Sequence, residues 1–134
     1  MTPRLFVTVA AVNYLASVLT LARSLHRCVP GARLCVLISD ASPKLLQRIR
    51  DHFGQNLEFI GSHDLNDPVL ESMRAYYSIL EFNSACKVWA LDYLLRSRPD
   101  SDCIFVDPDT YALDDLGADL PASSHDIALT AHAL

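Results

Sequence analysis

The sequence predicts an α/β fold, a mostly parallel sheet with flanking helices. Three observations lead there. Short apolar runs such as Leu5-Phe6-Val7-Thr8-Val9 and Leu34-Cys35-Val36-Leu37-Ile38 are continuous rather than alternating, as in strands covered on both faces. Amphipathic helical segments separate these runs, which is the order of crossover-connected parallel strands. At 134 residues, with 51% hydrophobic residues, 4 glycines and 7 prolines, the chain has the composition of one globular domain spanning 1–134.

The elements follow in order. Residues 4–12 read as a buried strand. Asn13 is placed to cap a helix in which Tyr14, Leu15, Val18, Leu19, Ala22 and Leu25 recur at helical spacing, and Pro30-Gly31 ends it. Residues 33–38 form a second strand. Ser42 caps the next helix with Pro43 at its first position, Leu45, Leu46, Ile49 and Phe53 make its apolar face, and Gly54 stops it. Residues 57–60 form a short third strand, and Asp67-Pro68 opens a short helix. Ser78 and Glu81 form a capping box for a longer helix, whose predicted inward stripe is Phe82, Cys86, Trp89 and Tyr93, widened by Ala85, Val88 and Leu95. Asn83 and Lys87, four apart, are expected to point away from that core together. Strands are expected again at 103–107 and 126–130.

Composition excludes several classes. Eleven Lys and Arg against 16 Asp and Glu give a formal charge of −5, a poor footprint for nucleic acid. No apolar run is long enough for a membrane span. The apolar start is broken by Asn13 and Tyr14, unlike a secretory signal. Cys28, Cys35, Cys86 and Cys103 show no metal-knuckle or redox spacing, so buried thiols in a reducing, cytoplasmic setting are expected. The histidines form no HExxH pair; His132, after the last expected strand, is the one closest to a strand end.

The sharpest chemical signal is Asp107-Pro108-Asp109 at the end of the hydrophobic run Cys103–Val106. Two carboxylates one residue apart suit a hard divalent cation, Mn2+ or Mg2+, and the proline stops the strand there. An acidic turn is the competing reading. The first strand-to-helix turn, Ala11-Val12-Asn13-Tyr14, lacks the GxGxxG of a dinucleotide fold, yet its amides suit a phosphate and Tyr14 suits stacking on a base. Lys87 and Asp40 complete the candidates; a solvated lysine and a loop aspartate are the plainer readings.

Taken together, the stretch Phe6 to Tyr14, then Ser24-Leu25, then Glu81 to Leu91 with Asn83 and Lys87, then Ile104 to Asp109, resembles the Rossmann-like nucleotide-sugar-binding half of GT-A glycosyltransferases, nearest the retaining, glycogenin and galactosyltransferase-like type. The resemblance implies that Asp107 and Asp109 are a DxD metal pair and that Asn13 and Tyr14 line a base and ribose pocket. It also implies that Lys87 faces the donor and Asp40 the base pocket. The donor is then a nucleoside-diphosphate sugar, of UDP type, held with Mn2+ or Mg2+. The acceptor class (sugar, lipid or protein) and the retaining or inverting outcome are left open by the residues. Such enzymes carry an acceptor half beyond the DxD, so the resemblance implies a C-terminally incomplete GT-A domain whose uncovered surface favours association with another chain. Two other readings stand beside it: a non-catalytic metal-dependent nucleotide or nucleotide-sugar binder, and a structural α/β domain.

Overall fold

The structure is a computed structural model that describes residues 4–55, 57–116 and 127. Four strands, β1 (Arg4–Ala10), β2 (Arg33–Ile38), β3 (Leu57–Gly61) and β4 (Asp102–Phe105), pair in parallel in the order β3-β2-β1-β4. The register sets Val7 opposite Cys35 on one side and Phe105 on the other, and Leu37 opposite Ile60. Four helices connect and cover them: α1 (Leu15–Cys28), α2 (Pro43–Phe53), α3 (Pro68–Tyr76) and α4 (Ile79–Ser97). This is a generic Rossmannoid topology. The expected fifth strand at 126–130 and His132 lie outside the described residues.

Pleat alternation divides the core. Phe6 and Ala10 of β1 face one side with Leu34, Val36 and Ile38, packed by Val18, Leu21 and Leu25 of α1 and Leu46 and Ile49 of α2. Leu5, Val7 and Val9 face the other side with Cys35 and Leu37, packed by Leu70 of α3 and by Phe82, Cys86, Ala90 and Leu94 of α4. The sheet is therefore covered on both faces, as the continuous apolar strands require. Burial pushes the Cys35 and Cys86 thiols up to about 12, so they behave as inert core side chains.

Local signals placed most helix starts correctly. The Ser42 hydroxyl accepts the Leu45 amide, Asp67 accepts the amides of Val69 and Leu70, and Ser78 and Glu81 close their reciprocal box. Gly31 takes a left-handed conformation with φ of 78°, which lets the chain reverse from α1 into β2 without the strain a side chain would add.

Three expectations are corrected. The first strand stops at Ala10, because residues 12–14 form a 3-10 turn (Val12–Tyr14) instead of extending the ladder. The strand expected at 103–107 is Asp102–Phe105, ending two residues before Asp107, although the Val106 amide still donates to the Val7 carbonyl. The inward stripe of α4 is Phe82, Cys86, Ala90 and Leu94; Trp89 is half-buried, and Tyr93, Val88 and Leu95 are exposed. That helix is apolar on two faces, so spacing alone did not select the buried one.

Two stability predictions follow from this packing. Thr8, at the centre of β1, is fully buried, and its hydroxyl finds no hydrogen-bond partner among the described residues. Thr8→Val removes that unmatched group at nearly constant volume, so chemical denaturation should show a gain of about 1 kcal/mol. The Asp67 carboxyl is held below its ordinary range by the Leu70 amide first, then by the Trp89 indole and the Val69 amide. A carboxyl lowered in the folded state stabilises above its unfolded pKa and loses that contribution as pH falls through the folded one. Between about pH 5 and 2 the wild-type melting temperature should therefore fall more steeply than that of Asp67→Asn, which still caps but does not titrate.

Candidate functional site

After β1 the chain moves outward to β2 and β3, then crosses back to the opposite side of β1 for β4. The strand order thus reverses between β1 and β4, and the loops leaving their carboxyl ends diverge there. Such a point is where open α/β sheets bind ligands. The two loops are Ala11–Tyr14 and Val106–Asp109, the same segments that carry the candidate residues.

Helix α4 brings two side chains to this edge. Lys87 places Nζ 2.8 Å from Asp107 Oδ1 and 5.0 Å from the centre of the Phe105 ring. One turn earlier, Asn83 Oδ1 accepts the hydroxyl of Ser39, the residue that follows β2. Neither residue points simply to solvent, as the sequence suggested; both are half-buried and lie against strand ends. The Ser39 carbonyl accepts the Ser62 hydroxyl at 2.7 Å, and Ser62 in turn accepts from Arg74 of α3, so the ends of β2 and β3 are tied to both helices of that face.

Asp40 follows Ser39 and has a role that local sequence did not reveal. Its Oδ1 accepts the Val12 amide at 2.8 Å, across 28 residues. Asp40 therefore holds the first loop in its turn, and Asn13, expected to cap, makes no capping bond and stands exposed beside the half-exposed Tyr14 ring. The reason is positional: Asn13 lies inside the 3-10 turn, where its own side chain is not aimed at the following amides.

Asp109 lies on the other side of the loop. It shares a shallow cavity of about 280 Å3 with Ala16, Ser17 and Thr20 in the first turns of α1 and with Thr110 and Tyr111. The chain after it is pinned to α1. The amide of the fully buried Ala112 donates to Ser24 Oγ at 2.9 Å, and the Arg27 guanidinium sits 5.4 Å from the Tyr111 ring centre. Ser39, Ser62 and Arg74 are supporting residues that the sequence did not single out, and Ser24 entered it only as part of the resemblance, with no role; the adjacency of Ser39 to Asp40 at a strand end is the one local signal.

A larger cavity of about 790 Å3 opens at the opposite end of the sheet, among Arg23, His26, Arg33, Phe53, Leu57 and Glu58. It is not where the polar side chains of the strand ends converge, so volume alone does not mark the site. The Asp pair leaves β4, which is the outer strand of the described sheet and not a central one. Among the described residues no group of three or more His, Cys, Asp or Glu side chains forms a metal cluster, and no helix is long and apolar enough to cross a membrane. No protein-family model matches this chain, and comparison with the curated proteins gives no significant match.

Removing the Asp40 carboxylate should loosen the loop. Asp40→Ala is expected to cost about 1 kcal/mol, the usual loss of a side-chain cap, and to speed amide exchange at Val12 selectively. Unchanged exchange at Val12 would mean that the turn holds itself.

Proposed function

We propose that this chain is the donor-binding portion of a GT-A-type glycosyltransferase, taking a nucleoside-diphosphate sugar of UDP type with Mn2+ or Mg2+ at Asp107 and Asp109. The observation that carries this reading is the meeting of Lys87 with Asp107 at the carboxyl edge of the sheet, beside the reversal of strand order. The fold is compatible with nucleotide binding in general; the donor class rests on the resemblance of the motifs.

The donor set fits a hard cation. Both carboxylates are exposed, and they supply only part of a six-oxygen shell. The rest of that shell suits diphosphate oxygens and water, the usual way Mg2+ is held when few protein carboxylates are present. Bound there, the cation supplies charge neutralisation for the leaving diphosphate. The protein's own residues do the remainder. Lys87, resting on Phe105, offers a positive group to the same diphosphate. Tyr14, half-exposed on the loop that Asp40 braces, offers a ring face to the base, and Asn13 offers an amide to the ribose. Asn83, fixed by Ser39, keeps the Lys87 turn of α4 against the strand ends.

The test is titration of UDP, GDP and their sugars by calorimetry across Mn2+ concentrations. Wild type should bind in a metal-dependent way. Asp109→Asn should weaken that binding at least about tenfold, a loss of about 1.4 kcal/mol, without a change in fold. Lys87→Met should bind Mn2+ alone more tightly, because Asp107 loses a competing cation, and bind UDP more weakly. Tyr14→Ala should weaken UDP with little dependence on metal. Equal binding by wild type and Asp109→Asn, or none by wild type in any condition, would return the Asp pair to an acidic turn.

A further inference from the structure

The cavity of about 790 Å3 at the amino end of the sheet has the size of a small-molecule site, and the nucleotide reading makes no use of it. It opens between the second half of α1, the end of α2 and the first residues of β2 and β3. Leu19 and Ala22 of α1, Phe53 of α2 and Leu57 of β3 line it, and the core leaves all four half-buried. Apolar surface held in a concave wall is stabilised by an apolar occupant more than by water.

The charged side chains of the lining are Arg23, Arg33 and Glu58, with His26 three residues after Arg23 on the same helix. Glu58 is already engaged. Arg98 donates to its two oxygens at 2.6 and 2.5 Å, and Arg33 approaches it at 3.9 Å, so one carboxylate answers two guanidiniums. Arg23 has none to answer it. Most basic side chains of the chain sit on a carboxylate, Arg50 on Asp64 and Lys87 on Asp107 among them. Arg23 makes no ion pair and no hydrogen bond among the described residues, although acidic residues outnumber basic ones. The carboxyl ends of α1 and α2 add partial negative charge at this end of the sheet, so an anion here is held by the guanidiniums and not by backbone. Unanswered positive charge beside an apolar wall matches a ligand with the two complementary parts. We infer that this cavity binds a small amphipathic carboxylate, its apolar body against Leu19, Phe53 and Leu57 and its carboxylate on Arg23 and Arg33. The inference is independent of the nucleotide reading, which concerns the opposite end of the sheet.

Octanoate is the probe, titrated by calorimetry and followed by amide NMR. It should bind with a dissociation constant on the order of 100 µM. Octylammonium, with the same chain length and the opposite charge, should bind at least about tenfold more weakly. Arg23→Gln should weaken octanoate about tenfold with an unchanged melting temperature, since the substitution breaks no polar contact. The amides of Gly31 and Gly54, which line the cavity, should shift during the titration, and that of Gly61, at the carboxyl end of β3, should not. UDP with Mn2+ should leave Gly31 and Gly54 unmoved, so the two readings stand or fall separately. Absence of saturable octanoate binding up to about 5 mM overturns the proposal. So does equal affinity for octanoate and octylammonium, equal binding by wild type and Arg23→Gln, or a shift at Gly61 without one at Gly31 and Gly54.

Discussion

The burial of β1 on both faces and along both edges is the constraint on which the rest of the structure depends. Leu5 to Ala10 have almost no contact with solvent, and every residue of the run is paired on at least one side. A parallel strand in that position needs helices above and below it, so the connections that reach β2 and β4 must deliver amphipathic helices to opposite faces. α1 and α2 cover the Phe6 face, and α3 and α4 cover the Val7 face. Because β1 is joined by β2 on one edge and β4 on the other, its carboxyl end is also where the neighbouring loops part. The crevice is thus a consequence of the topology, and the chemistry of the site is set by which residues happen to leave the strands there.

Much of this was legible because it is local. Continuous apolar runs marked β1 and β2, and the pairs Ser42-Pro43, Asp67-Pro68 and Ser78 with Glu81 marked three helix starts to the residue. What was not legible depends on contacts between distant segments. The Val12 amide is satisfied by Asp40, which is near it only once β1 and β2 pair, so local reasoning gave the capping role to Asn13. The buried face of α4 was misjudged for a different reason. Trp89 and Tyr93 are larger than Ala90 and Leu94, yet the helix runs close over the sheet, and the small Ala90 occupies the buried position while the rings lie to the side. Size and hydrophobicity favour the aromatic stripe; close helix-to-sheet packing favours the other.

Charge explains why the Asp pair is held as it is. In an acidic chain, Asp107 and Asp109 near one loop repel each other, and an exposed carboxylate gains little from any single partner in water. Lys87 is the nearest remedy. Its ammonium rests between the Asp107 carboxylate and the Phe105 ring, so its stem is covered while its charge stays at the rim. A side chain so placed keeps the acidic loop against the sheet without filling the space in front of it. The Asp107 carboxylate is thus already engaged by a cation of the protein's own, 2.8 Å away.

Helix α4 therefore serves three surfaces at once. Phe82, Cys86, Ala90 and Leu94 hold the sheet, Asn83 and Lys87 reach the strand ends, and Leu80, Val88 and Leu95 face outward. These sets lie at successive angles around one helix, and this explains its weak amphipathic pattern: apolar residues occupy two arcs rather than one. An ordinary surface helix would carry charge on the outer arc, as α2 does with Lys44, Gln47, Arg48 and Asp51. The contrast within one chain is informative, since both helices flank the same sheet and share the same solvent. α2 has a single covered face and a polar exterior. Leu80, Val88 and Leu95 of α4 stand where α2 has charge, and they add nothing to the core beneath the helix.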